Sequence, residues 1–113
     1  MSNLSSQTCS ACEVGAPLIS DESQISLLKD LQGWQIDHSD IDKLVKRFKF
    51  KSYAHSIKFS NLIADLAESQ DHHPKIILEW GSVTLEWWSH KIKGLHMNDF
   101  ICASKSDDLY QSL

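Results

Sequence analysis

The sequence lacks the features of membrane, secreted and nucleic-acid-binding proteins. No apolar run approaches the roughly 20 residues that a membrane-spanning helix needs, and no basic and apolar signal region opens the chain. The net charge at neutral pH is −4, so no excess of positive charge is present to attract nucleic acid. We therefore expect a cytoplasmic protein that contacts neither a membrane nor nucleic acid directly.

Cysteine is scarce, with three residues at Cys9, Cys12 and Cys102. Cys9 and Cys12 form a C-x-x-C pair, a spacing found in half of a zinc site and in thioredoxin-like redox motifs. A zinc site would need a second pair of ligands, and a redox motif would need a preceding strand; the sequence offers neither. We interpret Cys9 and Cys12 as reduced thiols and Cys102 as a small core residue.

The composition is that of one ordinary globular domain, with 42% hydrophobic and 23% charged residues in a chain long enough to bury a core. Residues 1–19 are rich in Ser, Ala and Gly, and we expect them to form a flexible N-terminal tail. Residues 20–113 carry the periodic patterns of folded structure. They are predicted to form the domain.

Within that domain, hydrophobic periodicity and turn residues predict the order helix, strand, strand, helix, strand, strand, helix. This order favours an α+β fold, in which helices pack on one face of a four-stranded antiparallel sheet. The predicted elements are a helix from Ser20 to a stop at Gly33, strands from Trp34 and over 44–51, a helix over 53–71 capped by Ser52, strands over 75–80 and 83–88, and a helix over about 98–109.

The third and fourth strands are predicted to form a hairpin around Gly81-Ser82. Gly at the first position of a two-residue loop favours a type II′ turn, in which Trp80 faces Val83. The same count carried outward places His73 opposite His90. Because directly opposed residues on antiparallel strands have Cβ atoms about 5 Å apart, this hairpin would bring the two histidines together.

The stretch from Glu68 to Pro74 is the most unusual in the chain, because two adjacent histidines follow a helix and precede a proline. Glu68 and His72 are four residues apart, so a continuing helix would bring the carboxylate to the imidazole. Pro74 disfavours the helical conformation at His73, so we expect the helix to end there and the second ring to turn away. Together with His90, these residues predict a functional cluster of three histidines and one or two carboxylates.

Other tryptophans and histidines have simpler interpretations. Trp34, Trp80 and Trp87 are predicted to be core aromatics. His38 and His55 are predicted to lie on the surface.

A longer pattern connects the cluster to the rest of the domain. It comprises Glu68-x-x-x-His72-His73-Pro74, Trp80, Ser89-His90, Gly94-Leu95 and Asp99, with Gly33-Trp34 and Phe48-x-Phe50 upstream. In this pattern the chain resembles the pterin-4a-carbinolamine dehydratases over residues 20–110, and the block over 79–100 resembles the bacterial members most.

The resemblance implies dehydration of 4a-hydroxytetrahydropterin to quinonoid dihydropterin, which recycles the tetrahydropterin cofactor of aromatic amino-acid hydroxylases. A base removes the N5 proton and an acid protonates the departing hydroxyl group, tasks that suit histidine because it titrates near neutral pH. The resemblance further implies that the reaction needs no metal and no organic cofactor. It also implies functional coupling to phenylalanine hydroxylase and self-association into a homodimer or homotetramer.

The resemblance also assigns roles by position. His72, His73 and His90 are the catalytic and substrate-orienting set, and Glu68 and Asp99 are carboxylates that hold them or orient the substrate. The residues expected to line the pterin pocket are Asp71, Pro74, Trp88, Ser89 and Lys91.

Three residues depart from the family pattern. His96 stands where many relatives have Ser or Thr, which is expected to remove a good helix cap and add an imidazole at the rim. Trp88 and Lys91 replace smaller or acidic residues of the animal enzymes, so details of the pocket are expected to differ.

Two other functions stay open at this point. Three histidines with Glu68 or Asp71 match the ligand types of a zinc or iron site, although the adjacent side chains of His72 and His73 point apart in extended structure. The other is a protein-binding or regulatory module, because animal members of the family act as dimerisation cofactors of a homeodomain transcription factor.

Overall fold

The structure is a computed structural model, and it describes residues 4–9 and 18–113. Cys12 lies outside the described residues. A short 3₁₀ helix, Leu4–Ser6, precedes the helices α1 (Asp21–Leu28), α2 (Tyr53–Gln70) and α3 (Met97–Gln111) and the strands β1 (Gln35–Asp37), β2 (Lys43–Lys49), β3 (Lys75–Glu79) and β4 (Ser82–Trp87).

The four strands form one antiparallel sheet in the order β1-β2-β4-β3. The predicted α+β fold, with helices on one face of the sheet, is confirmed. Apolar side chains of β2, β4, α2 and α3 form a shared core because each element turns one face inward. The largest of these fully buried side chains are Phe48, Trp87, Phe59 and Phe100. No helix in the described ranges is long and apolar enough to span a membrane.

Serine side chains cap two helices at the predicted positions. Ser20 Oγ accepts a hydrogen bond from the backbone of Ser23 at the start of α1, and Ser52 Oγ accepts one from His55 at the start of α2. These bonds satisfy backbone N–H groups that have no partner inside the helix. Helix α1 ends at Leu28, so the prediction that it continues to a stop at Gly33 is wrong. Gly33 lies in the turn before β1 and has a φ of 84°, a conformation that favours glycine.

The β3–β4 hairpin forms, but its register differs by two residues from the predicted one. Glu79 pairs with Ser82, so Trp80 and Gly81 are the turn residues. Neither of them has a positive φ, and the predicted type II′ turn is therefore wrong. A shift by two residues keeps each side chain on its predicted face of the sheet, whereas a shift by one would invert the faces.

Tryptophan burial follows from this register. Trp34 and Trp87 are buried, as predicted, but the prediction that Trp80 is a core residue is wrong, since its exposed fraction is 68%. Trp80 lies in the hairpin turn, beyond the end of the strand. Leu78, also predicted on the core face, is partly exposed at the same end of β3.

Residues 4–9 pack against the domain. Leu4 is buried, and the carbonyl of Ser5 accepts a hydrogen bond of 2.8 Å from Lys105 Nζ of α3. The backbone N–H of Cys9 donates to Gln70 Oε1 at 2.9 Å. This part of the expected flexible tail therefore has a defined place on α2 and α3, while the division of the chain at residues 19 and 20 stays a prediction.

Candidate active site

The end of α2 places the two adjacent histidines in different environments. Helix α2 ends at Gln70, and Asp71 follows in the left-handed conformation with a φ of 49°. A left-handed residue at this position ends a helix and redirects the chain. His72 is consequently buried, with 6% of its surface exposed, whereas the side chain of His73 is 55% exposed.

His72 belongs to a buried hydrogen-bond network centred on Asp99. Its Nε2 lies 2.6 Å from Asp99 Oδ1, and its ring stacks on Trp87 with ring centres 5.7 Å apart. The other carboxylate oxygen of Asp99 accepts hydrogen bonds from Ser89 Oγ at 2.8 Å and from the backbone of His96 at 2.9 Å. Because every one of these groups has a partner, the network holds the His72 ring in one orientation.

The charge of Asp99 determines the direction in which the pKa of His72 moves. Burial alone lowers the pKa of His72, because a charged ring is poorly solvated inside the protein. The hydrogen bond to Asp99 and its negative charge oppose burial and raise this pKa above its usual value of 6.5, with smaller contributions from Cys9 and Asp71. The protonated form of His72 is therefore favoured more than in a free histidine.

Glu68 pairs with His73, so the predicted Glu68–His72 pair is wrong. Glu68 Oε2 lies 2.9 Å from His73 Nε2, and the carboxylate side chain is 79% exposed. Helical spacing does not extend to His72 because the helix ends two residues earlier, at Gln70. An ion pair this exposed contributes little to stability.

His90 reaches the same cluster through the main chain of His73. Its Nε2 donates a hydrogen bond of 3.1 Å to the carbonyl oxygen of His73. The His90 ring packs on Trp88, with ring centres 4.4 Å apart, and Lys43 Nζ lies 4.7 Å from the centre of the Trp88 ring. Sequence reasoning missed Lys43, because its position depends on the pairing of β2 with β4, which no local pattern predicts.

The loop after β4 brings Ser89 to Asp99. The backbone N–H of Ser89 donates to the carbonyl of Gly94 at 2.8 Å, and Lys93 between them is left-handed with a φ of 52°. Ser89 is buried by this loop, so it supports the network instead of facing a ligand directly. Of the other residues expected to line the pocket, Asp71 and Lys91 are exposed, and Pro74 and Trp88 are half-buried.

His96 caps α3, which corrects the prediction that a histidine here removes the helix cap. Its Nδ1 accepts a hydrogen bond of 3.1 Å from the backbone of Asn98, and Asp99 accepts one from the backbone of His96. The two bonds form a capping box, in which an imidazole nitrogen replaces the usual hydroxyl oxygen. The side chain of His96 is buried, so it does not form an exposed rim.

The side-chain geometry does not support a three-histidine metal site. His72 and His73 are directed to different carboxylates. Across residues 4–9 and 18–113, no group of three or more His, Cys, Asp or Glu side chains is arranged to hold a metal ion.

Comparison with known proteins identifies the family. A sequence model of the family described as pterin 4 alpha carbinolamine dehydratase matches residues 17–109, most of the chain. The chain belongs to this family. The predicted resemblance to this family is thereby confirmed, as is the predicted enzyme class at the level of the family.

Bacterial relatives match over nearly the whole chain. A protein of Marinobacter nauticus that carries the name of a pterin-4-alpha-carbinolamine dehydratase is 50% identical over 97% of this chain and 100% of its own length. A protein of Vibrio cholerae with the same name is 55% identical over 89% of this chain and 94% of its own length.

Two solved structures share the fold. A Brucella melitensis protein described as a transcriptional coactivator/pterin dehydratase has a TM-score of 0.78 and 24% identity, covering 83% of this chain and 99% of that one. A pterin dehydratase-like protein described as a RuBisCO assembly factor in the alpha-carboxysome has a TM-score of 0.61 and 26% identity, covering 70% of this chain and 90% of that one.

Proposed function

We propose that this protein is a pterin-4a-carbinolamine dehydratase that converts 4a-hydroxytetrahydropterin to quinonoid dihydropterin. In this reaction a proton leaves N5, the bond between C4a and the hydroxyl oxygen breaks, and water departs. The observation that carries the proposal is the arrangement of three histidines at one end of α2: His73 and His90 are exposed and linked through the carbonyl oxygen of His73, and the next residue, His72, is buried and held by Asp99.

The three histidines have different proposed roles, which follow from how exposed each ring is. His73 and His90 are open to solvent, so their rings can exchange protons with a bound pterin. His72 is buried and paired with Asp99, so it supplies a fixed N–H group or positive charge beside them. Glu68 orients the ring of His73. Proton transfer by positioned groups is typically worth about 10²–10⁴-fold in rate, which suits a dehydration that also proceeds unaided.

The walls of the proposed site come from the residues that flank the histidines. Trp88 offers an aromatic face next to His90, on which the flat pterin ring can lie. Asp71 and Lys91, which flank the histidines in sequence, are exposed and offer charged groups to the polar edge of the substrate. Pro74 fixes the chain after His73, and Ser89 acts through its hydrogen bond to Asp99.

We further propose that the enzyme recycles the tetrahydropterin cofactor of phenylalanine hydroxylase, requires no metal or organic cofactor, and forms a homodimer or homotetramer. The support for each is family membership. The open edge of β3 is one surface at which a second copy could add to the sheet.

Turnover of freshly generated 4a-hydroxytetrahydropterin, followed by ultraviolet absorbance with and without EDTA, tests the proposal. Wild type is expected to accelerate dehydration in both conditions, and His73→Ala is expected to lose about 10²-fold or more of that acceleration. The matched control is His38→Ala, which removes an exposed histidine that also pairs with a carboxylate, Asp42, at 2.7 Å. Folded wild type without acceleration, or His38→Ala as impaired as His73→Ala, would overturn the proposal.

A protein-binding role is the second candidate. Leu78 and Trp80 are exposed apolar side chains at one end of the edge strand β3, where a partner could bind. The His73→Ala variant separates the two roles in cells whose growth depends on phenylalanine hydroxylation. The cells would lack the gene for this protein. Growth restored by His73→Ala, despite its lost turnover, would favour the binding role, whereas growth restored by wild type alone would favour the enzyme.

A further inference from the structure

The sulfur atoms of two cysteines lie close together, near His72. Cys9 Sγ and Cys102 Sγ lie 3.4 Å apart, although 93 positions separate the residues in sequence. Cys102 is fully buried on α3, whereas Cys9 is only partly buried and can be reached from solvent. A disulfide has a sulfur–sulfur distance of about 2.05 Å, so the two atoms need to approach by little more than 1 Å to bond.

Several independent contacts hold Cys9 in this place. Its backbone N–H is bound to Gln70 Oε1, and its Sγ lies 3.8 Å from the carbonyl oxygen of Asn98. Upstream, Leu4 is buried and Lys105 binds the Ser5 carbonyl. The approach of the two thiols is therefore part of how residues 4–9 pack on the domain.

The two thiols differ in acidity. The hydrogen bond from Cys102 lowers the pKa of Cys9 below its usual value of 9.0, against the opposing effect of burial, and the charge of His72 lowers it further. The same hydrogen bond and burial raise the pKa of Cys102 far above its usual value. Because the thiolate is the reactive form of cysteine, these opposite pKa shifts favour Cys9 over Cys102 as the attacking thiol.

We propose that Cys9 and Cys102 are a redox-active thiol pair that a hydroperoxide oxidises to an intramolecular disulfide. In the first step, written for hydrogen peroxide, the Cys9 thiolate attacks one peroxide oxygen: an S–O bond forms, the O–O bond breaks, and the leaving hydroxide takes a proton from solvent and departs as water. In the second step Cys102 attacks the sulfenic sulfur of Cys9: the S–S bond forms, the S–O bond breaks, and a second water leaves with the thiol proton. The two thiols supply the two electrons that reduce the peroxide.

We expect oxidation of this pair to change the pKa of His72. Gln70, which binds the Cys9 backbone, directly precedes Asp71 and His72, and Asp99 lies one helical turn before Cys102 on α3. The negative charge on Cys9 is one of the groups that raise the pKa of His72. A disulfide leaves Cys9 without a thiolate, so we expect the pKa of His72 to be lower in the oxidised protein.

Peptide mapping after treatment with hydrogen peroxide, without reductant, tests the bond directly. Trypsin cleaves after Lys29, Lys93 and Lys105, so Cys9 and Cys12 fall in the peptide 1–29 and Cys102 in the peptide 94–105. The Cys12→Ser variant retains only Cys9 and Cys102 and is expected to give the cross-linked peptides at the wild-type level. Dithiothreitol should release them.

The Cys9→Ser variant is the matched control, because it retains Cys12 and Cys102. It is expected to give no cross-link between the two peptides. A cross-link in this variant, a Cys9–Cys12 bond as the product in wild type, or failure of Cys12→Ser to cross-link would overturn the proposal. None of these results depends on turnover, so they separate this inference from the proposed dehydratase activity.

NMR titration of the His72 ring supplies a second readout, again without substrate. In the Cys12→Ser variant, the pKa of His72 is expected to be lower after oxidation with hydrogen peroxide and to return on reduction. An unchanged His72 pKa in protein shown to contain the Cys9–Cys102 disulfide would contradict the link to the site.

Discussion

Asp99 Oδ1 lies 2.6 Å from Nε2 of His72, and both side chains are buried although the two residues are 27 positions apart in the chain. The carboxylate sits at the first turn of α3, where its second oxygen also completes the capping box with His96. The Asp99 side chain therefore helps to cap α3 and also fixes the His72 ring of the proposed active site. Removal of a partner from a buried ion pair is costly, because the other charge stays buried without compensation.

Replacement of Asp99 should affect both stability and the acidity of His72. In Asp99→Asn we expect the free energy of unfolding to fall by about 3 kcal/mol and kcat/KM to fall by about 10²-fold. The pKa of His72 should fall, because burial is no longer opposed by a negative charge. Urea unfolding, turnover and NMR titration measure the three effects. Asp108→Asn, an exposed carboxylate on the same helix, should change none of them.

The stability of the protein should depend on pH through His72. Its pKa is raised by folding, so the folded state binds the proton more tightly than the unfolded state. The stabilisation is fully present below the unfolded pKa of about 6.5 and is lost as pH rises through the folded pKa of His72. Urea unfolding from about pH 6, just below the unfolded pKa of His72, up to about pH 9 measures this slope.

Cys9 requires a control in that experiment, because folding lowers its pKa and its contribution has the opposite sign. Stability from Cys9 is present above its unfolded pKa and is lost as pH falls through its folded pKa. The pH dependence of the free energy of unfolding is therefore compared between two proteins, Cys9→Ser alone and Cys9→Ser combined with Asp99→Asn. Equal slopes in the two proteins would contradict the role of the His72–Asp99 pair.

The local parts of the fold could be predicted from the sequence, whereas the partners of the histidines could not. Ser20 and Ser52 were recognisable as caps because their side chains bond within one helical turn. The pairing of Glu68 with His72 assumed that helical spacing continues, and the left-handed residue Asp71 breaks it. The pairing of His72 with Asp99 depends on how α3 packs against the end of α2, and no local pattern contains that information.

In the β3–β4 hairpin, too, the sequence predicted the local structure but not which residues pair. Alternation along the strands predicted both strands and the faces of their side chains. The predicted turn is displaced by one residue, because Gly81 is the second turn residue and not the first, and this displacement changes the register of the strands by two residues. The observed register, carried outward, places Trp88 and not His90 opposite His73, so the predicted pairing of the two histidines is wrong. His90 instead contacts His73 through the carbonyl oxygen of His73.

The cap on α3 gives a prediction about His96. Its Nδ1 satisfies the backbone N–H of Asn98, so His96→Ala should lower the free energy of unfolding by about 1 kcal/mol. Ser is a preferred capping residue, so His96→Ser should restore most of this loss. Urea unfolding of the three proteins at one pH compares them. A Ser variant as unstable as the Ala variant would show that the imidazole acts by packing and not as a cap.

The two tryptophans of the hairpin should respond differently to truncation. Trp87 is fully buried and its Nε1 donates to Ser106 Oγ at 3.2 Å, so Trp87→Ala should cost about 3–5 kcal/mol in the free energy of unfolding. Trp80 is 68% exposed, and Trp80→Ala should change it by about 0.5 kcal/mol or less. Chemical denaturation measures both. Similar losses in the two variants would contradict the hairpin register.

The hydrogen bonds of the histidine cluster close short stretches of chain: 5 residues between Glu68 and His73, 17 between His73 and His90, and 27 between His72 and Asp99. The entropy lost on closing a loop grows only with the logarithm of its length, but short loops also form fast. We therefore expect the cluster to assemble early in folding, as a local unit of α2, the hairpin and the first turn of α3. The contact between Cys9 and Cys102 closes nearly the whole chain, so residues 4–9 can dock only after that unit exists.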